Sequence, residues 1–275
     1  MKNKRRKEMK IASQLHLLPG STVLEKFEKG KEIGFDGIEV WGKKLIEEPS
    51  TVDEYLKASE KSGLKISTIC AGYRNFLLDG TRQERERARE DIKKLLQIGN
   101  AFKAIGLIVV PVFGPPKIPD LSPYKDVISL EKELLLSQLS EIVEVAEKNK
   151  CAILLEPLNR YETHFINRLE QAVEFCEKIK SPYLKIMADF FHMNIEEASI
   201  PEAIEKAGNW ISHVHLADSN RLLPGFGHTD FSSGFKALKK INFENYMALE
   251  CGVPEPAEEN LKKSLRYLKN LIQEV

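Results

Sequence analysis

Eight short apolar runs, separated by longer amphipathic segments, constrain this chain more than any other feature. The runs are Ile11–His16, Gly37–Trp41, Leu64–Cys70, Leu107–Phe113, Ala152–Glu156, Leu184–Asp189, Ile211–Leu216 and Tyr246–Glu250. Several read as strands buried on both faces, as parallel strands covered by helices are. The intervening segments carry helix signals. Thr81-x-x-Glu84 is a capping box for a long helix ending before Gly106, and Asn167 with Glu170 is a similar start. Behind it, Leu169, Ala172, Val173, Cys176 and Ile179 form one apolar stripe. Leu261, Leu265, Leu268 and Ile272 form another, and Pro201 suits the first turn of a helix. Eight strand–helix units over about 250 residues predict a single (β/α)8 TIM barrel across residues 1–275. A doubly wound open sheet is the alternative, but LHLLPGS after the first strand lacks the GxGxxG turn. The Pro-rich piece PVFGPPKIPDLSP, residues 111–123, is expected to be a long loop on the active face rather than a domain boundary, since the alternation resumes after it.

Composition narrows the class. Lys+Arg and Asp+Glu are both 41, so the formal net charge is zero. That speaks against a surface built to neutralise nucleic-acid phosphates. The cysteines, Cys70, Cys151, Cys176 and Cys251, form no CxxC pair, so neither a zinc ribbon nor a disulfide framework is expected. No run approaches the roughly 20 apolar residues of a membrane helix. The basic start MKNKRRKEMK is not followed by a signal-peptide core, because Gln14 and His16 interrupt it. Residues 1–9 are therefore expected to be a flexible basic tail, and the protein to be cytoplasmic.

In a barrel of this kind the chemistry sits at the C-terminal ends of the strands. The fifth strand ends in Glu156, the sixth in Asp189, and the eighth in Glu250; the seventh carries His213 and His215 near its end. The separations between Glu156, Asp189, His215 and Glu250 are 33, 26 and 35 residues, one strand–helix unit each. Neighbouring strands lie about 4.8 Å apart, so four successive tips line one side of the barrel mouth. Three crowded carboxylates resist ionising together, and a divalent cation relieves that. Oxygen-rich ligation with one imidazole suits Mn²⁺, Mg²⁺ or Co²⁺. If both lie in the strand, His213 and His215 are expected to point to opposite faces, so only one need face the site, and the other is expected to be a packed core histidine. His16, His164 and His228 are weaker candidates.

The motifs LLEPLNRYE, ADFFHMNIEE, HVHLADSNRLLPGFGHTDF and MALE, in this order, resemble the ketose 3-epimerases of the xylose-isomerase-like barrel superfamily. The resemblance implies one divalent metal, Mn²⁺ first, on Glu156, Asp189, His215 and Glu250. It implies that Glu162, His192 and Arg221 bind substrate around its carbonyl. Inversion of a carbon next to a ketone needs a base on each face, and Glu156 and Glu250 are assigned as that acid/base pair, working through a cis-enediolate. His16, Trp41 and Phe113 would shape the far end of the substrate. The expected partner is a small ketose or keto-sugar acid; a keto acid would call for a further cation, with Arg74, Arg160 and several lysines available. No nucleic acid or membrane partner is expected, and a homo-oligomer is compatible with the sequence. An aldose–ketose or hydroxypyruvate isomerase is the sister reading. A multi-zinc abasic-site nuclease would want more than six histidines. A metal-free glycosidase would leave Asp189 and His215 unexplained, and a non-catalytic sugar-binding barrel would leave the two bases without work.

Overall fold

The computed structural model describes residues 9–275 and is a closed barrel of eight parallel strands in sequence order, β1 to β8, with β8 paired back to β1. The strands are β1 (Lys10–Gln14), β2 (Gly37–Trp41), β3 (Lys65–Cys70), β4 (Gly106–Val109), β5 (Ala152–Leu155), β6 (Leu184–Asp189), β7 (Ile211–Leu216) and β8 (Tyr246–Leu249). The helices are α1 (Val23–Ile33), α2 (Gly42–Glu47), α3 (Ser50–Ser62), α4 (Arg82–Phe102), α5 (Val127–Asn149), α6 (Leu169–Ile179), α7 (Phe190–Glu196), α8 (Ile200–Ala207), α9 (Phe231–Lys240) and α10 (Ala257–Glu274). The expected eightfold alternation is present, with two helices after β2 and two after β6. The expected tail falls on residues 1–8, outside the described residues, and on Met9, which is partly buried against the core.

Where the elements differ from expectation, the cause is local. β4 stops at Val109 rather than Phe113, because Pro111 has no N–H to give to a sheet ladder. His16 lies in a single 3-10 turn, Leu15–Leu17, rather than in β1. The Thr81–Glu84 capping box is formed, with Thr81 Oγ1 accepting from the Glu84 amide at 3.2 Å. At α6 the start shifts: Gln171, not Glu170, accepts from the Asn167 and Arg168 amides, both at 2.9 Å.

Two cores result. The larger lies between strands and helices and includes Ile38, Val40, Leu107, Val109, Ile153, Leu155, Ile186 and Leu249. The residues alternating with these point into the barrel. There Cys70, Ile108, Ala152, Leu154 and Met187 make a small apolar cluster under β3–β6. Beside it the interior turns polar: Gln14, Glu39, Thr68, His213 and His215 are all buried and joined by hydrogen bonds. On the active face, buried Asp79 ties two loops together. It accepts from the Phe76 amide at 2.8 Å and pairs with Lys117 of the Pro-rich loop at 2.6 Å.

Leu154 is fully buried in the inward-facing cluster, two positions before Glu156 in the chain. Leu154→Ala is expected to lower the unfolding free energy by about 2–5 kcal/mol, read from urea midpoints at unchanged slope. For Asp79, burial works against ionisation, but Lys117, the Phe76 amide and Asn75 outweigh it and hold its carboxyl below the usual range. The stability it contributes is complete above the unfolded-state value of about 3.9 and is lost as pH falls through the lower folded value. Asp79→Asn is therefore expected to cost about 1–3 kcal/mol at pH 7, with the gap to wild type closing in acid, measured by denaturant melts across pH.

Candidate active site

The site is built at strand ends, each tied to its neighbour. The Glu156 amide donates to Val109 O at 3.0 Å, and the Glu250 amide to Leu216 O at 3.3 Å, so both glutamates stay fixed just past the last ladder residue. Asp189 pairs in register with His215 across β6 and β7. Asp189 also caps α7, accepting at Oδ1 from the Phe191 amide at 2.7 Å, which leaves its second oxygen for the site.

The four expected tips converge. One ligand-type atom from each of Glu156, Asp189, His215 and Glu250 lies within 4.8 Å of the others. His215 Nδ1 is at the centre, 3.2 Å from Glu250 Oε2, 3.8 Å from Asp189 Oδ2 and 4.0 Å from Glu156 Oε1. This nitrogen is buried and has no partner in hydrogen-bond geometry among the described residues. An orphaned imidazole nitrogen facing three carboxylates is the donor set a divalent cation fits.

The charges reflect the crowding. Burial, then the neighbouring Glu250, pushes the Glu156 carboxyl well above the usual range. Burial also opposes ionisation of Glu250, but His215 beside it outweighs that and holds it at about 2. Burial works against a charged His215, yet Glu39 and Glu250 raise its pKa well above the ordinary value.

The three expected substrate contacts form an arc beside this cluster. Arg221 donates to Glu162 Oε1 at 2.7 Å, and its other terminal nitrogen is 3.6 Å from Glu250 Oε2. Its guanidinium lies over the Phe191 ring, 4.7 Å from the centroid. The His192 ring accepts at Nδ1 from the Asn159 amide at 3.2 Å, so Nε2 carries the hydrogen, 3.7 Å from Asp189 Oδ2. Of the weaker candidates, His164 is spent on buried Glu131 at 2.7 Å, and His228 is exposed.

Three findings correct or extend the sequence reading. His213 and His215 both point into the barrel, since residues two apart on a strand share a face. His213 is indeed packed in the core, one layer below, bonded to Glu39 at 2.8 Å. Arg74 and Arg160 are not free for a substrate carboxylate: Arg74 is engaged by Asp91 and Arg160 by Glu196. Glu39, Gln14 and Cys70 were missed. Gln14 donates to both Glu39 and Glu250, at 2.9 and 3.1 Å, and Cys70 Sγ is 3.8 Å from Glu250. An acid within the apolar run GIEVW was the available signal for Glu39.

Gln14 and Cys70 also line a cavity of about 400 Å³ at the β1–β3 side of the mouth. His16 and Trp41 line it, together with Lys26 and Lys44. Phe113 is instead 39% exposed and packs edge-on against Phe76. Neither Lys26 nor Lys44 makes an ion pair among the described residues, and burial, then Lys44, lowers the Lys26 pKa.

Residues 27–271 match the family described as xylose isomerase-like TIM barrel. The chain is 30% identical over 264 residues to a 3-dehydro-D-guloside 4-epimerase of Escherichia coli, covering 95% of this chain and 99% of that protein. It is 29% identical over 231 residues to a D-psicose 3-epimerase of Enterocloster bolteae, covering 81% and 74%. The crystal structure of a 3-keto-D-glucoside 4-epimerase from E. coli superposes with a TM-score of 0.87 at 30% identity, over 96% of this chain and 100% of that one.

Proposed function

The chain belongs to the xylose isomerase-like TIM barrel family, and from that premise we propose that it is an epimerase of keto-sugars, inverting the carbon next to a ketone. The observation that carries this reading is the pair Glu156 and Glu250, converging on one imidazole from the fifth and eighth strand ends. The relatives' names support it, since each describes inversion beside a keto group: position 4 next to a 3-keto group, position 3 of a ketose.

One carbon must lose a proton on one face and regain it on the other. Glu156 and Glu250, reaching the site from the fifth and eighth strand ends, are the pair that gives and takes that proton. The two exchange roles with the direction of reaction. Arg221 and His192 offer N–H groups to oxygens of the resulting enediolate, and Glu162 orients Arg221 and a substrate hydroxyl. A divalent cation, Mn²⁺ first with Mg²⁺ or Co²⁺ as alternatives, held by Glu156, Asp189, His215 and Glu250, would supply Lewis-acid stabilisation of the negative oxygen.

For the substrate we propose a keto-sugar acid, with 5-keto-L-gluconate, giving D-tagaturonate, as the first to test. Its support is Lys26 and Lys44, cations on the cavity wall without an ion-pair partner among the described residues.

In D₂O the wild type is expected to incorporate solvent deuterium at the inverted carbon. Glu156→Gln and Glu250→Gln are each expected to lower that exchange and turnover by about 10²–10⁴-fold while the circular dichroism spectrum is retained. Near-normal turnover of either pure variant would end the two-base assignment. Lys26→Ala is expected to raise KM for a keto-hexonate about 10–100-fold and to spare a neutral ketose. An equal effect on both would remove the carboxylate from the proposal.

A further inference from the structure

Glu39 is in the middle of β2, and its side chain has no exposure. An isolated carboxylate there would be strongly unfavourable, so its surroundings must compensate. They do so with two donors and two imidazoles. Oε1 accepts from Gln14 Nε2 and lies within hydrogen-bond length of His215 Nε2, both at 2.9 Å. Oε2 accepts from Thr68 Oγ1 at 2.6 Å and lies 2.8 Å from His213 Nε2. Strands β2 and β7 are not neighbours, so the imidazole bonds cross the barrel interior.

We propose that Glu39 is a positioning residue that fixes the ring of His215 with Nε2–H turned to the barrel floor and Nδ1 turned to the three carboxylates. An ionised carboxylate can only accept, so Nε2 of His215 must carry hydrogen. The other ring nitrogen is then the one left for the site, and it is the orphaned atom facing Glu250, Asp189 and Glu156. Thr68 and Gln14 hold Glu39 in turn, and the Gln14 amide also reaches Glu250. A partner behind a metal-binding histidine orients the ring and selects its tautomer.

Glu39, His213 and His215 are also near enough to suggest a second cation of their own. The separations argue against it. Two ligands each about 2.1 Å from a tetrahedral ion stand about 3.4 Å apart. Glu39 is 2.8 and 2.9 Å from the two rings, which is hydrogen-bond length.

The inference rests on the cation-site reading above, and the test separates the two. Calorimetry with Mn²⁺ on the metal-stripped full chain is expected to give one ion per chain, with affinity about 10–100-fold weaker in Glu39→Gln. In the Co²⁺-loaded wild type, proton NMR is expected to show a hyperfine-shifted, slowly exchanging imidazole N–H, displaced or lost to fast exchange in Glu39→Gln. A general loss of stability would not move that resonance while the variant remains folded. Equal affinity with an unmoved resonance overturns the role of Glu39 alone. No Mn²⁺ binding by the wild type overturns the cation-site reading instead. If Glu39→Gln does not fold, the wild type decides: two ions per chain, or no sheltered N–H, overturns the proposal.

Discussion

Three carboxylates packed around one imidazole impose an electrostatic demand that the rest of the barrel is arranged to meet. Glu156, Asp189 and Glu250 cannot all be ionised in a buried site without positive charge among them. The chain answers from two sides. His215 is raised in pKa in the middle, and Arg221 leans in from the loop after β7. Glu39 below adds a fourth negative group, which strengthens the hold on His215 rather than relieving the crowding. The fold thus concentrates negative charge at one point, the condition under which a divalent cation gains most.

Much of this was legible in the sequence. Eight apolar runs pointed to the barrel, and the acids and histidine at strand tips to the cluster, because strand order and the active end of such a barrel follow from general rules. What escaped reading was contact through the interior. Glu39 and His213 meet only because the barrel closes, which leaves just β8 and β1 between β7 and β2, and no local pattern encodes that distance. Side-chain pairing was equally hidden: Arg74 and Arg160 looked available until Asp91 and Glu196 claimed them. Boundaries failed where one residue's chemistry overrode an apolar run, as Pro111 did for β4.

The barrel divides into two halves, and the proposed function gives each its own task. The second half, β5 to β8, carries the groups assigned to the reacting carbon. The first half, with His16, Lys26, Trp41 and Lys44, lines the cavity beyond. In the proposed mechanism the two glutamates require only a ketone and a neighbouring carbon bearing hydrogen and hydroxyl; the numbering of that carbon along the sugar does not enter. Which carbon arrives between them is decided by what anchors the other end. In the proposed mechanism, changes on the β1–β3 wall would redirect the substrate while leaving the acid–base geometry untouched, provided Gln14 and Glu39, which belong to that wall and to the floor of the site alike, stay in place. Gln14 and Glu39 thus join the cavity wall to the carboxylate cluster by direct hydrogen bonds.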